Sequence, residues 1–309
     1  MTVIRRPRTT HDVPSAVEPA GRCPPPTSPP VPTSFIPRRN RVRRVESTLA
    51  SRHLGRAVRL TALLPPGYRA NLLTRYPLLV LHDGQDFEAL RLERRLGLAY
   101  GRGTVTPRVI VGVHADERRM REYATSGQPD YAGRGDLADA HRRFVVEELL
   151  PHLQHKYRLR RSRDYRALAG FSLGGLSAFD IAWHHEDLFG AVGCFSASFW
   201  WRSREFDAAD PDADRIVVDR IRLASRMPQL RYYFVVGTEE ETSDRNDNGI
   251  IDAIDDTLDV IAALRERGVP GRDVAYRLVE GGKHDQASWG PALVAWLEEL
   301  TRAEWGRGG

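Results

Sequence analysis

Apolar residues gather along this chain in short, nearly uninterrupted runs separated by longer stretches in which charges recur at helical spacing. The runs at residues 76–82, 107–114, 166–169, 188–196, 230–237 and 274–279 read as strands, most of them buried on both faces. Ahead of them, residues 43–47 and 57–64 predict two antiparallel strands joined by a turn around His53, Leu54, Gly55 and Arg56. Helices are expected within 86–103, over 137–157, over 176–183, through 257–261 and over 292–300. In the longest, Phe144, Val145, Leu149, Leu150 and Leu153 fall on one face and charges take the other positions. Apolar strands alternating with helices specify an α/β architecture with a mostly parallel sheet covered on both faces. In such sheets reacting groups collect beyond the carboxyl ends of the strands.

The first part of the chain lacks this pattern. Residues 1–41 are rich in Pro, Ser, Thr and Arg, including Cys23-Pro24-Pro25-Pro26, and have little to bury, so a disordered tail is expected there. Residues 42–309 are expected to form one domain. The net charge of +5 is modest, and much of it lies in the basic run at 38–44, which argues against a nucleic-acid partner. Two cysteines, Cys23 and Cys194, give no disulfide framework. No apolar run is long enough to span a bilayer. The first residues have no apolar core of a signal peptide, so the expected location is cytoplasmic. Oligomeric state is not legible.

One stretch carries chemistry. Gly170-x-Ser172-x-Gly174, between the strand at 166–169 and the helix at 176–183, has the spacing and context of a nucleophile elbow. Glycines flank the serine because a Cβ there would collide with the neighbouring strand or helix. The turn exposes the Ser172 hydroxyl and aims the Leu173 N–H at the place where an oxyanion would form. A serine hydroxyl needs an adjacent base. Of ten histidines, His284 follows the last predicted strand, in Gly281-Gly282-Lys283-His284, where a base late in the chain is expected. The acid should follow the strand ending at Gly237. Glu239, Glu240 and Glu241 stand there; Glu240 is favoured, with Glu241 and Glu239 behind it and Asp244 or Asp255 as the acid if all three are solvated. The turn Asp83-Gly84-Gln85-Asp86 after the first buried strand is placed to give a second oxyanion donor, the N–H of Gln85 or of Asp86.

Residues 244–255 have the spacing of a calcium loop. Asp244, Asn246, Asn248, Asp252 and Asp255 would supply side-chain oxygens and Ile250 a carbonyl, with Gly249 at the turn. Its last position is Asp rather than Glu and no entering helix is evident. The competing reading is an Asn/Asp/Gly turn leading to a helix cap.

Taken together, Leu64-Pro65-Pro66-Gly67-Tyr68, residues 76–85, Arg121-Glu122-Tyr123, the elbow, Ser196-Ala197-Ser198-Phe199-Trp200-Trp201, and Gly281-Gly282-Lys283-His284 with Trp289 resemble the esterase family of α/β-hydrolases that includes enterochelin-esterase-like and feruloyl-esterase-like proteins. The resemblance spans residues 45–300. It implies an α/β-hydrolase fold, Ser172 as nucleophile, His284 as base, and Trp200 and Trp201 as pocket walls. The acid departs from the family, since three glutamates stand where relatives often show one acidic residue. The expected activity is cleavage of small-molecule carboxylic esters through an acyl-enzyme, with no cofactor needed for the chemistry. The alternatives are an acyltransferase using the same acyl-enzyme and a non-catalytic binding module on the same fold.

Overall fold

The computed structural model describes residues 41–305. The tail expected over 1–41 lies, except for Arg41, outside the described residues.

Eight strands form one sheet: β1 (Arg43–Ser51), β2 (Arg56–Leu64), β3 (Leu78–His82), β4 (Val109–Val113), β5 (Arg166–Phe171), β6 (Ala191–Phe195), β7 (Arg231–Gly237) and β8 (Val274–Val279). Their spatial order is β1-β2-β4-β3-β5-β6-β7-β8, and the pairings are parallel from β4 onward. β1 and β2 pair antiparallel, as the sequence predicts, and β2 runs antiparallel to β4. The strands at the centre, β3, β4, β5 and β6, are buried at every position, which is why they read as continuous apolar runs.

The helices are α1 (Leu92–Arg102), the single turn α2 (Arg119–Glu122), α3 (Ala138–Arg143), α4 (Leu150–Lys156), α5 (Leu173–His184), α6 (Ile216–Leu223), α7 (Asp252–Glu266) and α8 (Gln286–Trp305). They separate two apolar cores. One, with Phe144, Leu176, Ile216 and Val260, lies under α3 to α7. The other, with Leu92, Leu96, Leu293 and Trp296, lies under α1 and α8. Sheet and helices thus make three layers, and α5, sandwiched beside the centre of the sheet, has ten buried residues.

Three helices differ from expectation. The helix predicted over 137–157 is interrupted at Phe144–Leu149 by a wider π turn, immediately ahead of Pro151. Proline has no N–H to donate and its ring crowds the carbonyl four residues back, here Glu147, so a looser turn accommodates it. The last helix starts six residues before the predicted Ala292 and carries Pro291 inside it. Asp285 holds its first turn by accepting from Ser288 N at 2.8 Å, which outweighs the break a proline signals. Helix α6 was not expected; its apolar face is only Ile216, Val217, Val218 and Ile221.

Candidate active site

β5 ends at Phe171, and the chain turns into α5 at Ser172, whose φ of 54° and ψ of −125° are costly for a residue with a Cβ. Phe195 O, at the end of β6, accepts from Ser172 N at 3.0 Å and helps hold the turn. A Cβ on Gly170 would lie 2.2 Å from Gly174 O, and one on Gly174 2.9 Å from an Asp83 carboxylate oxygen. The elbow therefore closes on itself more tightly than any other residue allows. Leu173 is the first residue of α5, so its N–H is among those a helix leaves without an internal partner.

Ser172 opens into a cleft of about 470 Å³ that Leu173, Ser198, Trp200, Glu240 and His284 also line. Ser172 Oγ lies 3.4 Å from Ser198 Oγ. His284 Nδ1 is 3.0 Å from Glu240 Oε2. The Glu240 side chain is 2% exposed and that of His284 42% exposed, so the ring has a buried acid behind it and open space before it. The other oxygen of Glu240 is held in place: Gly237 N donates to it at 2.6 Å, and so does Ser196 Oγ. Ser196 Oγ in turn accepts from Trp289 Nε1 at 2.8 Å, and the Trp289 ring meets His284 edge to face with centroids 5.0 Å apart.

The three glutamates are distinguished by where the strand end points them. Glu239 N donates to Gly282 O at 2.8 Å. Glu241 Oε1 accepts from Ala253 N at 2.7 Å, at the start of α7. Among them it is Glu240 whose carboxylate meets His284. Asp255, the more distant candidate, is occupied by Asn246 and Asn248.

Two of the residues singled out in the sequence, Trp201 and Gln85, are not among those lining the cleft. Trp200 lines the cleft and is 40% exposed, but Trp201 is fully buried, packed in the core beneath it. The two residues lie in the turn that follows β6, which leaves one ring at the cleft and puts the other in the core. Gln85 is exposed and does not line the cleft; its side chain bridges Asp83 Oδ1 at 2.9 Å and Ala115 N at 3.0 Å. The Asp83 turn adopts a left-handed conformation, φ 60°, that aims Gln85 toward the end of β4.

The loop proposed for calcium is held by its own donors. Asp244 accepts from Asn248 N and Gly249 N, Asp252 pairs with Arg245, and Asp255 accepts from Asn246 and Asn248 side chains. Ile250 N donates to Asn248 Oδ1 at 2.8 Å. Arg245, inside the loop, also reaches Asp256 at 2.8 Å and supplies the positive charge these carboxylates need. Among the described residues no group of three His, Cys, Asp or Glu could hold a metal ion. In this arrangement the loop is an Asn/Asp/Gly turn closed by its own amides and by Arg245, and of the proposed ligand oxygens Asn246 Oδ1 is buried with no hydrogen-bond partner.

One residue that sequence reasoning passes over sits in the cleft. Arg119 lines it, grips Asp83 with two hydrogen bonds of 2.8 and 2.7 Å, and reaches Phe171 O at 3.2 Å. It ties the turn after β3 to the last residue before Ser172. Its only signal was its place a few residues beyond the carboxyl end of β4, hidden among four arginines between 118 and 134.

Among the described residues no helix is long and apolar enough to cross a membrane. A ferulic acid esterase is similar in structure, with TM-score 0.64 and 23% identity over 85% of this chain and 98% of its own. The enterobactin esterase Fes from Shigella flexneri, in the presence of 2,3-dihydroxy-N-benzoyl-serine, superposes with TM-score 0.68 and 21% identity over 91% of this chain and 62% of that one. The uncharacterized protein YjcH of Bacillus subtilis (strain 168) is 22% identical over 82% of this chain and 96% of its own length. The fold is of the α/β-hydrolase type these esterases share, and because the family model described as "Putative esterase" matches residues 51–300, the chain belongs to that esterase family.

Proposed function

We propose that the protein is a serine hydrolase that cleaves carboxylic esters of small molecules through an acyl-enzyme. The observation that carries this is the pairing of His284 Nδ1 with the buried Glu240 at 3.0 Å, in the cleft into which the strained Ser172 opens. A carboxylate only accepts, so the His284 proton sits on Nδ1 and Nε2 is left free to act as base. Ser172 Oγ turns from Ser198 toward that nitrogen, gives up its proton and attacks the ester carbonyl. Leu173 N–H, at the head of α5, stabilises the oxyanion. His284 then protonates the leaving alcohol, and water repeats the sequence to release the acid. Glu240, held by Gly237 N and Ser196, keeps the ring oriented and balances its charge when protonated.

The half-exposed Trp200 offers a flat apolar wall suited to an aromatic acyl group. The names of the similar structures point the same way: one acts on ferulic acid esters, and a feruloyl esterase module from Clostridium thermocellum is described in complex with sinapinate. Hydrolysis of p-nitrophenyl acetate and butyrate, methyl ferulate and N-(2,3-dihydroxybenzoyl)serine esters by the wild type and by Ser172→Ala tests the reading. Turnover in the wild type that the variant lacks is expected. Equal rates in both, or no turnover of any ester by folded protein, would overturn it.

A further inference from the structure

At the opposite end of the sheet, where β3 and β5 begin side by side, lies a second concavity of about 540 Å³. Arg75, Arg160, Arg161 and Arg166 line it together with His155, and no carboxylate does. Arg75 and Arg166 spend their hydrogen bonds on backbone carbonyls. Arg75 reaches Leu159 O at 3.5 Å, and Arg166 reaches Leu188 O at 3.1 Å and Arg161 O. Arg160 lies over the Tyr165 ring at 4.2 Å. Arg166 is the unusual one. It is 8% exposed, and its Nε–H is buried with no hydrogen-bond partner. A buried guanidinium with an unmade hydrogen bond is costly, Asp187 is the one carboxylate acting on it and does not line the concavity, and its neighbours add three more positive charges. A dianion seated among them would relieve both costs at once. The planar fork of arginine matches phosphate oxygens in particular.

We propose that this concavity binds a phosphate group, with Arg166 at its base and Arg75, Arg160 and Arg161 at its rim. It stands apart from the cleft: Arg166 opens β5 and Ser172 follows its other end, about 20 Å away at strand spacing. The phosphate has two chemical sources, a free anion or a lipid headgroup. The second is raised by Leu72 and Leu73, which are 68% and 99% exposed in the segment leading to Arg75.

Calorimetric titration with inorganic phosphate and pyrophosphate, at fixed ionic strength, tests the site in the wild type, in Arg160→Gln/Arg161→Gln and in Arg52→Gln, a fully accessible arginine on the β1–β2 turn. Sedimentation with phosphatidylglycerol and with phosphatidylcholine vesicles runs beside it. Saturable binding of the anions, weakened at least about tenfold in the double variant and unchanged in Arg52→Gln, is expected for a free anion. Binding to phosphatidylglycerol vesicles alone, lost in the double variant and in Leu72→Ser/Leu73→Ser, supports the headgroup. Arg166→Lys, which keeps the charge but lacks Nε, should lose affinity while its melting temperature shows whether it folds. Absence of binding to both probes, or equal losses in Arg52→Gln and the double variant, would overturn the proposal.

Discussion

His82 Nδ1 lies 2.8 Å from the carbonyl oxygen of Gly174, directly beneath the elbow. A carbonyl only accepts, so the His82 proton is on Nδ1 and its Nε2 carries a lone pair. His141 Nε2, 3.1 Å from that nitrogen, must therefore donate, which leaves His141 Nδ1 bare and facing Glu122 at 4.0 Å. Both rings are completely buried. Burial pushes the His82 pKa down to about 4, with Asp83 pulling it up and Arg119 down; burial, His82 and Arg56 push His141 well below its ordinary value.

The sign of the pH dependence follows. Protons bind these rings in the unfolded chain near pH 6.5 but not in the folded one, so their stabilising effect is complete above that pH and is lost as pH falls toward 4. His82 alone accounts for a loss on the order of 3 kcal/mol across that window. Melting temperatures measured from pH 7 to pH 4.5 should fall steeply in the wild type and more gently in His82→Gln and His141→Gln. Parallel slopes would refute the assignment.

Ser172→Ala should lower ester hydrolysis by at least about 10³-fold. The folded variant should be as stable as the wild type, because alanine inherits the same strained backbone; Ser172→Gly, which relieves it, should gain roughly 1 kcal/mol in urea denaturation.

The three glutamates separate cleanly by kinetics. Glu240→Gln, unable to fix the imidazolium, should lose about 10³–10⁴ in kcat. Glu239→Gln should stay within a few-fold of wild type. Glu241→Gln should keep its kcat and lose at most about 1 kcal/mol of stability through the weakened bond to Ala253 N. A large kcat effect at Glu241 instead would move the acid by one residue.

Ser196→Ala removes a donor to Glu240 and leaves Trp289 Nε1 unpaired. Its effect should appear as a kcat loss of roughly tenfold with KM little changed, together with about 1–2 kcal/mol of destabilisation. Trp289→Phe, which keeps the edge contact to His284 but not the N–H, should reproduce the stability part alone.

The loop at 244–255 makes its own test. Since Arg245 and backbone amides already occupy its carboxylates, millimolar calcium or a chelator should shift the melting temperature by less than about 1 °C. A clear calcium-dependent rise would show that these donors give way to the ion.

Much of this architecture is legible in the sequence because burial on both faces leaves an unbroken apolar run, as in Leu78–His82, and because only glycine fits at 170 and 174. The order of Ser172, an acid after β7 and His284 follows from where strands end. What stayed hidden depends on side-chain direction. Nothing in Trp200-Trp201 says which ring faces the cleft, and three adjacent glutamates differ only in how the chain leaves Gly237. Arg119 depends on a fork to Asp83, 36 residues away in sequence. The calcium spacing has two readings because the same Asn, Asp and Gly residues also cap their own backbone.

Helix α8 brings Trp289 to Ser196 and lays Leu293, Trp296 and Leu297 on the face formed by β5, β6 and β7. It is also made after every strand. While the chain is being synthesised, the sheet can pair and the elbow can form, but Phe171, Phe195 and Tyr233 stay bare to solvent and the acid lacks part of its support until α8 docks. A nascent chain stalled before residue 286 should therefore be the species that chaperones hold, and the appearance of activity on a ribosome-bound chain would time the arrival of that one helix.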